Sequence, residues 1–224
     1  MTAGEVTKFN NAIRLYGTRA AVGKYNSNRL RDLLRPVLAI KLVDSGAGSE
    51  KATHNQCETV ANLTVCIGAK TMLIQNIWVK LGLVNGTTGT IKDIVWKEGA
   101  DIKKDPPQAL LIAVGQYDGP ALFTRQDSKK VIPIFSVLRK WEGTRGTCSR
   151  RQFPITLAFA LTIHKSQGLT LDRAVLDIKD KDKTAGMTYV AISRVKKLSG
   201  LLFEQCFDKE RFQLTTSKTK EARQ

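Results

Sequence analysis

The sequence has no apolar run approaching the ~20 residues that a membrane-spanning helix needs. Its four cysteines, Cys57, Cys66, Cys148 and Cys206, include no C-x-x-C pair, and their gaps suggest no disulfide framework. A reduced intracellular setting is therefore expected. His54 and Cys57 are spaced for a metal, with Cys66 nearby, but no second ligand pair follows, so no metal site is expected there. The opening MTAGEVTKFNNAIRL lacks the charged-then-apolar pattern of a secretory signal, and Glu5 makes it a poor transit peptide. Acidic residues are scarce: 20 Asp+Glu stand against 36 Lys+Arg among 224 residues, a formal net charge of +16. Such an excess costs self-repulsion and implies a polyanionic partner, nucleic acid first and an anionic membrane surface second. With 42% apolar and 25% charged residues, the chain is expected to fold around a sizeable core.

Along the chain, the first ~35 residues read as helical with one break. IRLY (13–16) is a short apolar run ended by Gly17-Thr18, and Thr18 is a fitting N-cap for a helix through about Leu34, stopped by Pro36. VLAIKLV (37–43) suits a strand, and the polar, Gly-rich stretch 44–56 a loop. From residue 62 the pattern becomes strand-like: LTVCIGAKTMLIQNIW, then VNGTTGTIKDIVW after the Asn85-Gly86 turn, then ALLIAV and KKVIPIFSVL. Several short strands separated by turns predict a small barrel over 62–150. After it, PITLAFALTI (154–163) predicts a strand, RAVLDI (173–178) another, Thr184 to Leu198 a helix, and LLF a further strand after Gly200. That rhythm predicts a parallel sheet, so the fold class is α/β with an inserted barrel. The stretch after Phe212 is polar and charged.

No complete phosphate loop of the form G-x-x-x-x-G-K-[ST] occurs. Between Gly17 and Gly23 there is one residue too many, and Tyr25 stands where a magnesium-binding hydroxyl belongs. Asp44 and Asp177 each end an apolar run, but neither is followed by Glu. Thr162-Ile-His164-Lys165-Ser166-Gln167-Gly168 is more informative. It follows a buried-looking strand, and a Gly-containing turn there can offer backbone N–H groups and four polar side chains to a phosphate. Tyr189-Val-Ala-Ile-Ser-Arg194 places an arginine on a helix beside a buried stripe, where it is either solvated or poised to reach a transferring phosphate.

TIHKSQGLTLD followed by GMTYVAISRV resembles motifs V and VI of superfamily-one DNA helicases of the Pif (petite integration frequency) type. IRLYGTRAAVGKYN resembles motif IV of that family, and GAKTMLIQNIWVKLGLVNGTTGTI its inserted barrel. The resemblance implies a second RecA-like domain, in pieces 12–61 and 151–212, carrying a Src-homology-three-like barrel at 62–150, with a polar tail at 213–224. It implies that Arg194 is an arginine finger on the γ-phosphate of ATP and that Gln167 and Gly168 face the nucleotide. Thr18, Thr162, His164 and Lys165 are implied to meet the backbone of single-stranded DNA, with Ser166 between the two roles. Family members use ATP and magnesium to move 5′-to-3′ along DNA, and they have a first RecA-like domain carrying the phosphate loop and the magnesium-binding Asp-Glu pair. Those motifs are not found here, so the chain is expected to be a fragment, a truncated gene model or a degenerate copy, inactive without such a domain in cis or trans. Within the cell the nucleus is favoured over the mitochondrion.

Two other functions fit some of the residues. One is a non-catalytic basic module that binds nucleic acid, in which Trp78, Trp96 and Trp141 are candidates to stack on bases. The other is a KOW-like ribosomal or transcription-factor barrel, on the strength of GLVNGTTGTIKDI, which leaves TIHKSQG and YVAISR unexplained.

Overall fold

The computed structural model of the chain describes residues 3–47, 49, 62–143, 146–178 and 186–207. His54, Cys57 and the tail 213–224 lie outside these, as do most of the expected loop and the start of the helix expected from Thr184. The chain divides into two compact units: 1–27 with 159–224, and 28–158.

The first unit is built on a parallel sheet. After helix α1 (Ala3–Thr7) comes β1 (Ile13–Tyr16), and helix α2 (Arg19–Asp32) leaves its far end. β13 (Ala160–Thr162) and β14 (Ala174–Asp177) flank β1, and β15 (Leu201–Phe203) completes the order β13-β1-β14-β15, all parallel. Ala160, Leu161, Ala174, Val175 and Leu176 are all buried, so these strands read as continuous apolar runs rather than alternating ones. IRLY is therefore a strand, not part of a helix. Four apolar residues carry no usable period, and pairing on both sides decides the outcome.

α2 starts as expected: the Thr18 hydroxyl accepts the Ala21 N–H (3.2 Å), as an N-cap does. The helix ends at Asp32, two residues before the expected Leu34, which has φ +50° and is exposed. Asn26 is buried on α2 against the free edge of β13. Its amide donates to the Ala160 carbonyl (3.1 Å), and its side-chain oxygen accepts the Ala160 N–H (2.8 Å). One side chain thus does the work of a missing neighbouring strand and satisfies both orphaned groups.

The second unit is antiparallel. β5 (Lys70–Leu73), β6 (Thr88–Val95), β7 (Ala109–Val114), β8 (Phe123–Thr124), β9 (Lys130–Phe135) and β12 (Ile155–Leu157) form a six-stranded sheet, order β12-β5-β6-β7-β9-β8. A β-bulge lies between Ile91 and Asp93. β10 (Val137–Gly143), β11 (Gly146–Gln152) and β3 (Val43–Ser45) make a three-stranded sheet, and β2 (Leu38–Lys41) pairs with β4 (Asn62–Val65). The core is apolar, with Leu63, Val65, Ile91, Leu110, Val131, Phe153 and Ile155 fully buried.

Two expected strands break. LTVCIGAKTMLIQNIW yields β4 and β5 only. The chain then makes an excursion over 74–87, so Asn85-Gly86 closes a loop rather than a two-residue hairpin, with Gly86 alone at positive φ (+95°). PITLAFALTI is two strands, β12 and β13, in different sheets. The Ala158 N–H donates to the Lys70 carbonyl (2.9 Å), while the next carbonyl, of Phe159, accepts the Arg14 N–H (3.1 Å). Adjacent residues thus serve different sheets, and an unbroken apolar run conceals the switch.

Candidate functional site

The parallel sheet sets the site. Tyr16, the last residue of β1, is in register with Thr162, the last of β13. The Gly17-Thr18 turn and the Ile163–Gly168 loop therefore leave neighbouring strands at the same edge, the C-terminal one, where ligands of α/β sheets bind. α2 begins at that edge, so its unpaired N–H groups and dipole favour an anion there.

The loop is tightly built. His164–Ser166 forms a 3₁₀ turn, and the Thr162 hydroxyl accepts the Lys165 N–H (3.3 Å). Ser166 is fully buried, its hydroxyl donating to the Ile163 carbonyl (2.7 Å). Its hydroxyl shapes the loop from inside, whereas His164, Gln167 and Gly168 are exposed and Thr162 and Lys165 are half-buried. Gly168 has φ +83° and open space where a side chain would be, so a Cβ there would be strained by the backbone, not by crowding. Burial lowers the Lys165 pKa below the usual lysine value, and Arg19 at the start of α2 lowers it further. The Lys165 amine on the loop and the Arg19 guanidinium on the first turn of α2 thus repel each other, which an incoming phosphate would relieve.

Arg194 is not within a helix, as the sequence suggests. α3 (Met187–Ile192) ends two residues earlier, and the Arg194 N–H bonds the Ala191 carbonyl (3.2 Å) in a tightened last turn. Its guanidinium folds back. Nε donates to the Val190 carbonyl (2.9 Å), Nη2 to the Ser193 hydroxyl (2.9 Å) and Nη1 to the Leu169 carbonyl (3.4 Å). The main chain makes the same connection: the Leu171 N–H donates to the Arg194 carbonyl (2.8 Å), and the Lys196 N–H to the Leu171 carbonyl (3.3 Å). The exit of the Thr162–Gly168 loop and the Arg194 segment are therefore one hydrogen-bonded unit.

A profile of the "DNA helicase Pif1, 2B domain" matches residues 56–94. The chain is 32% identical over 222 residues to the ATP-dependent DNA helicase Pif1 of Psychrobacter sp. (strain PRwf-1), covering 85% of this chain and 33% of that protein. It is 31% identical over 191 residues to the human ATP-dependent DNA helicase PIF1, covering 85% of this chain and 26% of that protein. Over 85% of its length the chain is therefore similar to Pif1 helicases. It superimposes on the crystal structure of Pif1 helicase from Candida albicans with a TM-score of 0.70 and 28% identity, covering 89% of this chain and 46% of that one. The mixed α/β fold, with its parallel sheet and additional antiparallel sheets, is thus a Pif1 fold. The chain spans only about a quarter to a third of the length of these curated relatives.

Around this sheet edge the structure adds residues that the motifs do not announce. Arg14 and Tyr16 project from β1 toward Glu204, just past β15. The Tyr16 hydroxyl donates to Glu204 (2.9 Å), and Arg14 Nε lies 3.5 Å from the same carboxylate. Arg14 also stacks over the Tyr25 ring of α2, 4.7 Å from its centroid, and bonds its hydroxyl. Burial and the Glu204 carboxylate push the Tyr16 pKa well up, so the phenol stays protonated and donating. This network fixes the end of β1 one residue before the Gly17-Thr18 turn. Its members are 188 residues apart in the chain, so no local pattern reveals it. Among the described residues, no three His, Cys, Asp or Glu come together to hold a metal ion. No helix among them is long and apolar enough to cross a membrane.

Proposed function

We propose that the chain is the second RecA-like domain of an ATP-dependent 5′-to-3′ DNA helicase, with residues 62–150 as its inserted Src-homology-three-like barrel. It contributes single-stranded DNA contacts and an arginine finger, and it needs a first RecA-like domain to hydrolyse ATP. One observation carries this: the Thr18 turn and the Thr162–Gly168 loop share one sheet edge, and the Arg194 segment is bonded to the exit of that loop. Thr18, Thr162, His164 and Lys165 would hold DNA phosphates, with Ser166 positioning the loop. Gln167, Gly168 and Arg194 would form one wall of a nucleotide site. When bound, ATP would supply the γ-phosphoryl group whose transfer drives movement. The described residues offer no carboxylate cluster for magnesium, so the ion's ligands would be nucleotide phosphates and residues of the other domain. A contact loop serving both ligands couples them through one free energy, so each ligand changes the affinity for the other.

The purified chain is expected to bind single-stranded DNA and to release no phosphate from ATP, with or without DNA. DNA-stimulated phosphate release that vanishes on Arg194→Ala would sink the two-domain requirement. Lys165 gives a pH test whose sign follows from its depressed pKa. DNA needs the charged amine, so affinity should fall as pH rises, starting below the usual lysine range. Stability should move the other way in that window, because the unfolded chain then holds the proton that the folded chain has lost. Binding titrations across alkaline pH check this, and Lys165→Arg should abolish the early fall.

A further inference from the structure

Trp78 is oriented in a way that the proposed site does not use. Of the three tryptophans, Trp96 donates its indole N–H to the Asp105 carbonyl (3.3 Å), and Trp141 lies under the Arg150 guanidinium, 5.9 Å from its ring centroid. Trp78 is 47% exposed, between Ile77 at 43% and Val79 at 63%, and its indole has no polar partner among the described residues. Scattered apolar residues on a surface are ordinary, but a run of three that includes a tryptophan costs hydration free energy and is worth explaining.

The loop under it is rigid. The Trp78 N–H donates to the Leu83 carbonyl (3.0 Å), and the Trp78 carbonyl accepts the N–H groups of Leu83 (3.0 Å) and Leu81 (3.2 Å). The Asn76 side chain accepts the Asn85 N–H (2.8 Å), and the Thr87 hydroxyl donates to the Gly82 carbonyl (2.9 Å) while accepting the Val84 N–H (3.1 Å). The tryptophan backbone is thus fixed before any partner arrives, so little entropy remains to be lost on contact. The surroundings favour an anionic partner. The loop itself, 74–87, carries no Asp or Glu and one lysine, Lys80, and the Asp118 main-chain N–H donates to the Leu81 carbonyl beside it (3.2 Å). Lys80 lies two residues from Trp78 on the same loop. An apolar protein partner would need no cation beside the tryptophan, whereas a polyphosphate backbone would use Lys80 and the chain's net charge of +16.

We infer that Trp78 is a base-stacking platform for single-stranded nucleic acid, with Lys80 beside it for the phosphate. This inference rests on the single-stranded DNA binding proposed above, and it adds a second contact on the antiparallel unit. Stacking of a base on an aromatic side chain tolerates any sequence, because every base has a π-face. The test uses the 224-residue chain, an oligothymidylate and an abasic oligomer of equal phosphate count. Trp78→Ala should weaken binding to the oligothymidylate by roughly one to two orders of magnitude. Trp78→Phe should keep most of the affinity, and neither change should affect binding to the abasic oligomer. The difference in emission between the wild-type chain and Trp78→Phe should be quenched by oligothymidylate. Equal affinities of Trp78→Ala and wild type, an equal loss on the abasic oligomer, or a shift in oligomeric state caused by Trp78→Ala would each overturn the inference. Failure of the wild-type chain to bind either oligomer would instead overturn the proposed function, and this inference with it.

Discussion

Asp44→Ala is expected to destabilise the antiparallel unit by about 1–3 kcal/mol, the usual cost of removing a charged acceptor from buried donors. Arg150 is 4% exposed, so its guanidinium cannot turn to water when the carboxylate is removed. It holds Asp44 through two bonds, Nε to Oδ1 at 2.6 Å and Nη2 to Oδ2 at 2.8 Å, a parallel pairing that a lysine could not copy. Nη2 also donates to the Ser49 carbonyl (3.4 Å). In thermal unfolding the loss should lower Tm by about 2–12 °C for a chain of this size. The contrast is Asp172, which is 84% exposed and paired with Lys196 at 2.9 Å. Its removal should leave stability almost unchanged, because water screens an exposed pair. Replacing both partners, as Asp44→Leu with Arg150→Met, should recover most of the loss, since apolar packing can substitute for a buried pair. An unchanged Tm for Asp44→Ala would overturn this contribution of the carboxylate.

That ion pair also shows where sequence reading stops. Asp44 ends an apolar run and invites a metal-ligand or capping role, while its real partner lies 106 residues away and leaves no local trace. The same holds for Asn26, which serves Ala160 from 134 residues away, and for the Arg14–Tyr16–Glu204 network. What is legible is whatever a local rule can carry. The apolar runs at 154–163 and 173–178 are read as strands, and their alternation with a helix as a parallel sheet. Thr18 is read as a cap because the cap is a bond to the third residue onward. The phosphate-type loop is legible because its polar residues are consecutive. The break at Ala158-Phe159 is hidden because changing sheets needs no polar punctuation when both sheets are buried. Arg194 is legible as a residue but not as a conformation, since periodicity extends a helix that i→i+3 bonds actually end.

That conformation bears on the largest effect expected of any substitution here. In a protein that joins this chain to a first RecA-like domain with a phosphate loop, Arg194→Ala should lower kcat by about 10³–10⁵, the range found for arginine fingers, while affinity for single-stranded DNA holds. The guanidinium rests on the Val190 and Leu169 carbonyls and the Ser193 hydroxyl, and must leave them to reach a phosphate. Neutral acceptors of this kind are each worth about 0.5–1.5 kcal/mol net, so the exchange is affordable against charge-assisted bonds to a γ-phosphate. Arg194→Lys should not restore turnover, because an ammonium lacks the planar fork that grips two oxygens. A loss of less than tenfold in kcat for Arg194→Ala would reduce this arginine to a cap on α3. The Leu169 contact gives the exchange a further consequence. Leu169 follows the Gln167-Gly168 turn directly, so a guanidinium drawn toward nucleotide releases the exit of the loop that carries Lys165. Nucleotide occupancy would then be felt at the side chains proposed to hold DNA through that one carbonyl, with Leu171 and Lys196 keeping the two segments aligned while it happens.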